Sequence, residues 1–423
     1  MSIHEQIRVP HVKPSSSRSV CRFWQQGICN RNPCKFAHGG ELPPRPPPPP
    51  PRSSHVYLRG SRSESQSKPV GGSAAPKKHE EKVCRDWKSG NCSRGDDKCR
   101  FLHSWSRGEG FSMLARLEGH SNTAVVSGIA LPSGSDKLFT GSSDGVVQAW
   151  DCTSGKIVGT LNAGGKIGCL ITEGEWLFVG LPNVVKAWNL QTGVDCSLTG
   201  PTGQVYALEV GMGFLFAGGS PDGVILAWKG GSSSTGEQQG SNPFQPAAAL
   251  NGHTSAVISI EVGGGGKLFS GSMDGTIKVW DIKTLQCIQT IEKGHDSAVM
   301  SLLCYSDFLL SCSLDQKIKV WAATGEDGRF EAVYTHEEGH GAISMCGVED
   351  MDGKPVLLCS WNDDSVGLYE LPSFAEKGRM YAKGEVRSIK GGPGGLVFTG
   401  DATGLVTVWK LAAGATSGAA MAE

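Results

Sequence analysis

No apolar run in this 423-residue sequence reaches 18 residues, which excludes an ordinary membrane-spanning helix. The first twenty residues, MSIHEQIRVPHVKPSSSRSV, also lack the hydrophobic core of a secretory signal. Both absences lead us to expect a soluble, intracellular protein, in the nucleus by preference and in the cytoplasm as the alternative. Net charge is nearly absent too, at −1, but the cancellation is between segments. Residues 1–110 carry 20 Lys and Arg against 9 Asp and Glu, and the remainder carries 20 against 32. A basic head on an acidic body points to a polyanionic partner, most often nucleic acid, with a solvated tail that binds nothing specific as the bland alternative. Of the 14 cysteines, eight (Cys152, Cys169, Cys196, Cys287, Cys304, Cys312, Cys346, Cys359) lack metal-ligand spacing. In a reducing compartment these read as small buried hydrophobes.

The body repeats. In Gly252 to Asp281, GHTSAVISIEVGGGGKLFSGSMDGTIKVWD, the spacing predicts three short strands, with a tight turn at Asp274-Gly275. Comparable third strands end at Trp150, Trp188, Trp228, Trp280, Trp321, Tyr369 and Trp409, separated by 38, 40, 52, 41, 48 and 40 residues. Gly-His pairs stand at Gly119-His120, Gly252-His253, Gly294-His295 and Gly339-His340, and Trp-Asp pairs at Trp150-Asp151 and Trp280-Asp281. This pattern resembles WD40 repeats and implies a seven-bladed all-β propeller over residues 110–412. Three copies hold four polar residues in register: His120, Thr140, Asp144, Trp150; His253, Ser270, Asp274, Trp280; and His295, Ser311, Asp315, Trp321. A hydrolase triad is excluded, because one active site would not be repeated three times and no nucleophile elbow surrounds these serines. The resemblance implies instead a hydrogen-bonded network inside each blade. The other copies depart from it, with Pro201 and Gly218, Pro182, Tyr369 or Thr403 at network positions, so they are expected to be held mainly by packing. After Trp409 no fourth strand follows, whereas Phe111 to Leu117 is a strand-like run ahead of the first copy. The two are expected to pair and close the ring.

The head contains CRFWQQGICNRNPCKFAH and CRDWKSGNCSRGDDKCRFLH, in which Cys21, Cys29, Cys34 and His38 are spaced C-x7-C-x4-C-x3-H and Cys84, Cys92, Cys99 and His103 C-x7-C-x6-C-x3-H. Three thiolates and an imidazole suit a closed tetrahedral Zn²⁺ site, so we expect two structural zinc ions and no catalytic metal. Between the ligands the two clusters share Arg22 and Arg85, Trp24 and Trp87, Gly27 and Gly90, Arg31 and Arg94, and the pairs Lys35-Phe36 and Arg100-Phe101. This pattern resembles CCCH zinc fingers, the muscleblind type in particular. The resemblance implies single-stranded RNA binding, with Phe36 and Phe101 stacked on bases and Arg31, Lys35, Arg94 and Arg100 on base edges or phosphates. Trp24 and Trp87 either join that face or cap the small core.

The domain reading is therefore residues 1–18 disordered, 19–40 first finger, 41–80 Pro/Ser-rich linker, 81–105 second finger, 110–412 propeller and 413–423 disordered tail. In the linker, Pro43 to Arg52 is a polyproline II rod, leaving two independent fingers that gain avidity only on a strand reaching both. Two CCCH fingers followed by WD40 repeats resemble the plant family of CCCH zinc-finger/WD40 proteins. That likeness implies a non-enzymatic adaptor, holding RNA, or DNA as the second choice, through the fingers and proteins through the propeller. The alternative is a substrate receptor of a cullin-type ubiquitin ligase, since Trp280-Asp281-Ile282-Lys283 resembles the WD-x-R/K box of such receptors.

Overall fold

The computed structural model describes residues 79–219, 221–230, 242–325 and 328–412. The first finger, with Cys21, Cys29, Cys34, His38, Arg31, Lys35 and Phe36, lies outside the described residues, as do residues 1–18, the linker up to residue 78 and the 413–423 tail.

The described chain begins with a small module in which β1 (His79–Val83) pairs in parallel with β2 (Phe101–Leu102). Between them lie two single helical turns, α1 (Arg85–Lys88) and α2 (Gly95–Lys98). Two connecting strands follow, β3 (Ser106–Gly108) and β4 (Phe111–Glu118). The remainder is built from antiparallel meanders whose second strands are buried along nearly their whole length. The first comprises β5 (Val126–Ala130), β6 (Lys137–Ser142), β7 (Val146–Asp151) and β8 (Ile157–Asn162). Next come β9 (Cys169–Glu173), β10 (Trp176–Asn189), β11 (Asp195–Gly211), β12 (Phe214–Gly219), β13 (Ile225–Gly230) and β14 (Phe244–Leu250), hydrogen-bonded into one sheet. Two regular meanders then run through β15 (Val257–Gly263), β16 (Lys267–Ser272), β17 (Ile277–Asp281) and β18 (Gln286–Ile291), and through β19 (Val299–Tyr305), β20 (Phe308–Ser313), β21 (Lys317–Thr324) and β22 (Arg329–Glu337). The last two are β23 (Ala342–Glu349), β24 (Pro355–Trp361), β25 (Ser365–Glu370) and β26 (Ala375–Tyr381), joined by β3, and β27 (Val386–Gly391), β28 (Leu396–Asp401) and β29 (Leu405–Leu411), joined by β4.

This is an all-β propeller of six blades, counted as hydrogen-bonded sheets, and not the seven separate blades that the spacing predicts. The second and third copies have merged. Pro182 stands where the second copy would place its turn Asp, and Gly200-Pro201 replaces the Gly-His pair of the third. The backbone instead stays extended: Pro182 pairs with Gln204, the Gly203 amide donates to Asn183 Oδ1 at 2.7 Å, and β10 and β11 run on through 14 and 17 residues. The inner strands still close a ring, with β27 packed beside β5.

Ring closure follows the expected route. β4 pairs along its length with β29, from Glu118 opposite Leu405 to Phe111 opposite Leu411, so the strand preceding the first copy completes the last sheet and covers an open edge. Between sheets, large apolar side chains interlock. Phe269, Val299, Leu302, Leu309 and Trp321 fill one such seam and are all buried. Gly271 permits it, since a Cβ there would lie 2.6 Å from Val299 Cγ1. The Asp274-Gly275 turn needs its glycine for the φ of +81° and for the carbonyl of His295 close by. Of the scattered cysteines, Cys169, Cys312 and Cys359 are buried as expected, but Cys152 and Cys287 are exposed. No described helix is long and apolar enough to cross a membrane.

The repeated polar sets assemble inside the blades. His253 Nε2 lies 2.8 Å from Ser270 Oγ, to which Trp280 Nε1 donates at 2.9 Å, and His253 Nδ1 faces Asp274 at 3.2 Å. His295, Ser311, Asp315 and Trp321 repeat this at 2.7, 2.9 and 2.8 Å. In the first blade the imidazole and indole of His120 and Trp150 meet Thr140 at 2.8 Å each, but Asp144 sits 3.7 Å from Nδ1 and serves the amides of Ser121 and Val146 instead. Burial would push Asp274 up; the Thr276 hydroxyl, the amides of Thr254 and Thr276, and His253 outweigh it and hold the carboxyl at about 2. Asp315 is likewise held at about 2 against burial by His295 and the amides of Asp296 and Lys317.

The divergent copies keep some polar support beside their packing. Trp409 Nε1 donates to Thr399 at 3.0 Å, keeping half of the network without its histidine. Around Tyr369 a different cluster replaces it: the phenol donates to Glu338 Oε1 at 2.5 Å, and Arg379 Nη2 reaches the same oxygen at 3.1 Å. His336, then Tyr369 and Arg379, hold Glu338 at about 2 against its partial burial.

Candidate metal centre and nucleic-acid interface

Each ligand of the second finger is set by a local backbone feature. Cys84 precedes α1 and its carbonyl accepts the Lys88 amide at 2.9 Å; its own amide donates to Leu102 at 2.9 Å, tying β1 to β2. Cys99 ends α2, Cys92 lies between the two helical turns, and His103 follows β2. This folding brings the three Sγ atoms and a His103 ring nitrogen within 4.8 Å of one another. Two sulfurs at ~2.3 Å from one tetrahedral ion are about 3.8 Å apart, so a small contraction of the cluster would close it on a single ion. Cys84 and Cys99 are 3% and 2% exposed.

The imidazole supplies a sharper test of fit. His103 Nδ1 faces Asp96 Oδ1 at 2.5 Å, whereas Nε2 is buried and has no hydrogen-bond partner. One nitrogen is thus oriented by a carboxylate and the other left for a metal, the arrangement by which outer carboxylates fix a ligating histidine. Asp96, against a smaller opposing effect of burial, and then the thiols of Cys84, Cys99 and Cys92 push the His103 pKa up to about 9. The field at this spot favours positive charge. Asp96 went unrecognised in the sequence, although the signal was present: the second spacer is two residues longer than the first and carries Asp96-Asp97.

The remaining finger residues divide. Arg94 and Arg100 are exposed. Phe101 is half-buried in β2, with the Arg100 guanidinium 4.9 Å above its ring. Trp87 belongs to the packing: it stacks on His103 at 5.6 Å and 12° and meets Trp105 at 4.9 Å. Trp105 in turn lies under the Arg116 guanidinium at 4.1 Å, and its carbonyl accepts the Tyr381 amide at 2.8 Å. Lys88 pairs with Asp364 at 2.9 Å, and β3 adds to the edge of β26. The second finger is therefore docked on the propeller, because only Ser104 and Trp105 separate His103 from the docking strand. In the receptor-like box, Asp281 Oδ1 accepts from the amide and hydroxyl of Thr284 at 2.8 and 3.0 Å and Ile282 is 1% exposed; both serve the blade.

Comparison with known proteins agrees with this architecture. A family model of the WD domain, G-beta repeat, matches residues 111–151, 244–281 and 285–322. A model of the zinc finger of C-x8-C-x5-C-x3-H type (and similar) matches residues 16–39, the first finger. Zinc finger CCCH domain-containing protein 17 of Oryza sativa subsp. japonica is 48% identical over 96% of this chain and 95% of its own length. The chain belongs to the plant CCCH zinc-finger/WD40 family. Zinc finger CCCH domain-containing proteins 48 and 63 of Arabidopsis thaliana are 50% and 48% identical over 93% and 95% of this chain, and over 92% of their own lengths in both cases. For a CCCH/WD40 protein the fingers imply zinc binding and suggest nucleic acid as one partner, while the WD40 repeats suggest protein partners.

Proposed function

We propose that this CCCH/WD40 protein is a zinc-dependent adaptor that holds single-stranded RNA through its two fingers and protein partners on its propeller, in gene or post-transcriptional regulation. The observation that carries the reading is the closed Cys84, Cys92, Cys99 and His103 cluster, whose four ligands leave no position for catalysis. Around it, Arg94, Arg100 and Phe101 combine exposed cations with an aromatic ring, the means by which unstacked bases are gripped. The first finger carries the equivalents Arg31, Lys35 and Phe36 beside Cys21, Cys29, Cys34 and His38. RNA is preferred to duplex DNA because the second finger offers no helix long enough to enter a major groove, α1 and α2 being four residues each.

Metal analysis and binding measured together test this. The intact chain should hold two zinc ions, Cys29→Ser and Cys92→Ser one each, and chelation should abolish binding of single-stranded RNA. Duplex DNA competing as well as single-stranded RNA would overturn the RNA reading, and retention of RNA binding after complete zinc removal would overturn the role of the fingers.

A further inference from the structure

Where the second finger meets the propeller there is a cleft of about 1020 Å³. Its walls are cationic without being neutralised. Lys82 and Arg85 project from the finger and Lys383 from the propeller; all three are exposed and none forms an ion pair with a described residue. The two carboxylates of the cleft have partners other than these three cations: Asp364 holds Lys88 at 2.9 Å, while Asp363 accepts the Ser365 hydroxyl at 2.6 Å and lies 3.5 Å from His340. Beneath them Tyr381 is 8% exposed, and its hydroxyl is buried without a partner; Arg116 Nε, on the same cleft, is also buried and unpaired. Both orphans are donors, and buried donors are rarely left unpaired. Free cations and spare donors together fit an anionic ligand rich in acceptors. Lys383 also borders a second depression of about 290 Å³ beside Glu118, His120 and Thr403.

We infer that this cleft binds the phosphate backbone of the single strand held by the finger, which makes the propeller part of the nucleic-acid site. The inference rests on the RNA reading above. Phe101 and Arg100 do not themselves line the cleft, but its finger wall presents Arg85, one residue from the ligand Cys84, so a strand held by the finger would reach it through Arg85. The phosphates would lie between Arg85 and Lys383, which are contributed by separate parts of the fold. Such contacts add affinity without sequence preference and release counterions.

The test measures binding of a single-stranded RNA oligonucleotide to the zinc-loaded full chain across a range of salt. Lys383→Glu should weaken binding and lower the slope of log affinity against log salt by about one, while Lys383→Arg retains both. Lys383 is exposed and unpaired, so thermal melting of the variants should match the parent. If Phe101→Ala weakens binding while Lys383→Glu changes neither affinity nor slope, the strand is held by the finger and the cleft inference is wrong. Failure of the parent to bind RNA at all would remove the functional reading and this inference together. Binding of a polyglutamate peptide through Lys383, with no RNA bound, would make the cleft a protein site and overturn the inference.

Discussion

Ser270 Oγ has two jobs at once, receiving the Trp280 indole N–H and meeting His253 Nε2. Replacing it with alanine leaves two buried nitrogens without a partner and should cost about 1–3 kcal/mol. Thr399→Ala strands only the Trp409 indole and should cost less. Chemical denaturation of the two variants reads the difference, and equal losses would deny the networks any cooperativity. Acid should act through the same residues in two windows. His120 and His253 are held neutral mainly by burial, which lowers their pKa; their contribution is present above about 6.5 and declines below it, as the unfolded chain takes up protons. Asp274, Asp315 and Glu338, each held at about 2, contribute stability that is full above the ordinary carboxylate range, near ~4, and is lost as the pH falls towards 2. The denaturation midpoint against pH should show both declines, with the lower one reduced in Asp274→Asn; a flat profile would contradict the assignment. The residues of these networks were legible in the sequence because the same types recur at fixed offsets. Asp96 and the Glu338–Tyr369–Arg379 cluster occur once each, and no repeat announces them.

β4 joins the two ends of the propeller. Its pairing with β29 runs from residue 111 to 118, so a chain beginning at Gly119 should be poorly soluble and melt far below one beginning at Ser104, which keeps both β3 and β4. Equal melting temperatures would show that the ring closes without it. The strand was foreseeable from the mismatch between a spare run at one end and a missing strand at the other. Its neighbour β3 was not, since three residues, Ser106 to Gly108, carry no periodicity. The merging of two copies into one sheet also escaped the sequence. Pro182 and Pro201 marked an altered corner, but whether the backbone turns or runs on depends on the pairing of Pro182 with Gln204, a contact 22 residues apart that no local pattern specifies.

The docked finger couples zinc to the propeller. Through Lys88 to Asp364 and through Trp87 and Trp105, part of the finger's folding free energy is shared with the blade that contains β26. Cys92→Ser should therefore lower the propeller's melting temperature, by roughly 2–4 °C for each kcal/mol of docking energy. An unchanged melting curve would mean that the finger only rests there. Sequence spacing brought out the Cys84, Cys92, Cys99 and His103 cluster but not its docking, because Ser104 and Trp105 look like ordinary linker until Trp105 is seen beneath Arg116.

Both fingers matter to the central claim, that bases stack on Phe36 and Phe101 of zinc-ordered modules. The most direct measurement is the affinity of the full zinc-loaded chain for single-stranded RNA, compared with that of the Phe36→Ala, Phe101→Ala double variant at fixed salt. The account predicts a loss of roughly 1–3 kcal/mol per base, with zinc content and salt slope unchanged. A double variant that binds as tightly as the parent would show that the basic head is an electrostatic anchor and that the aromatic rings do not read RNA.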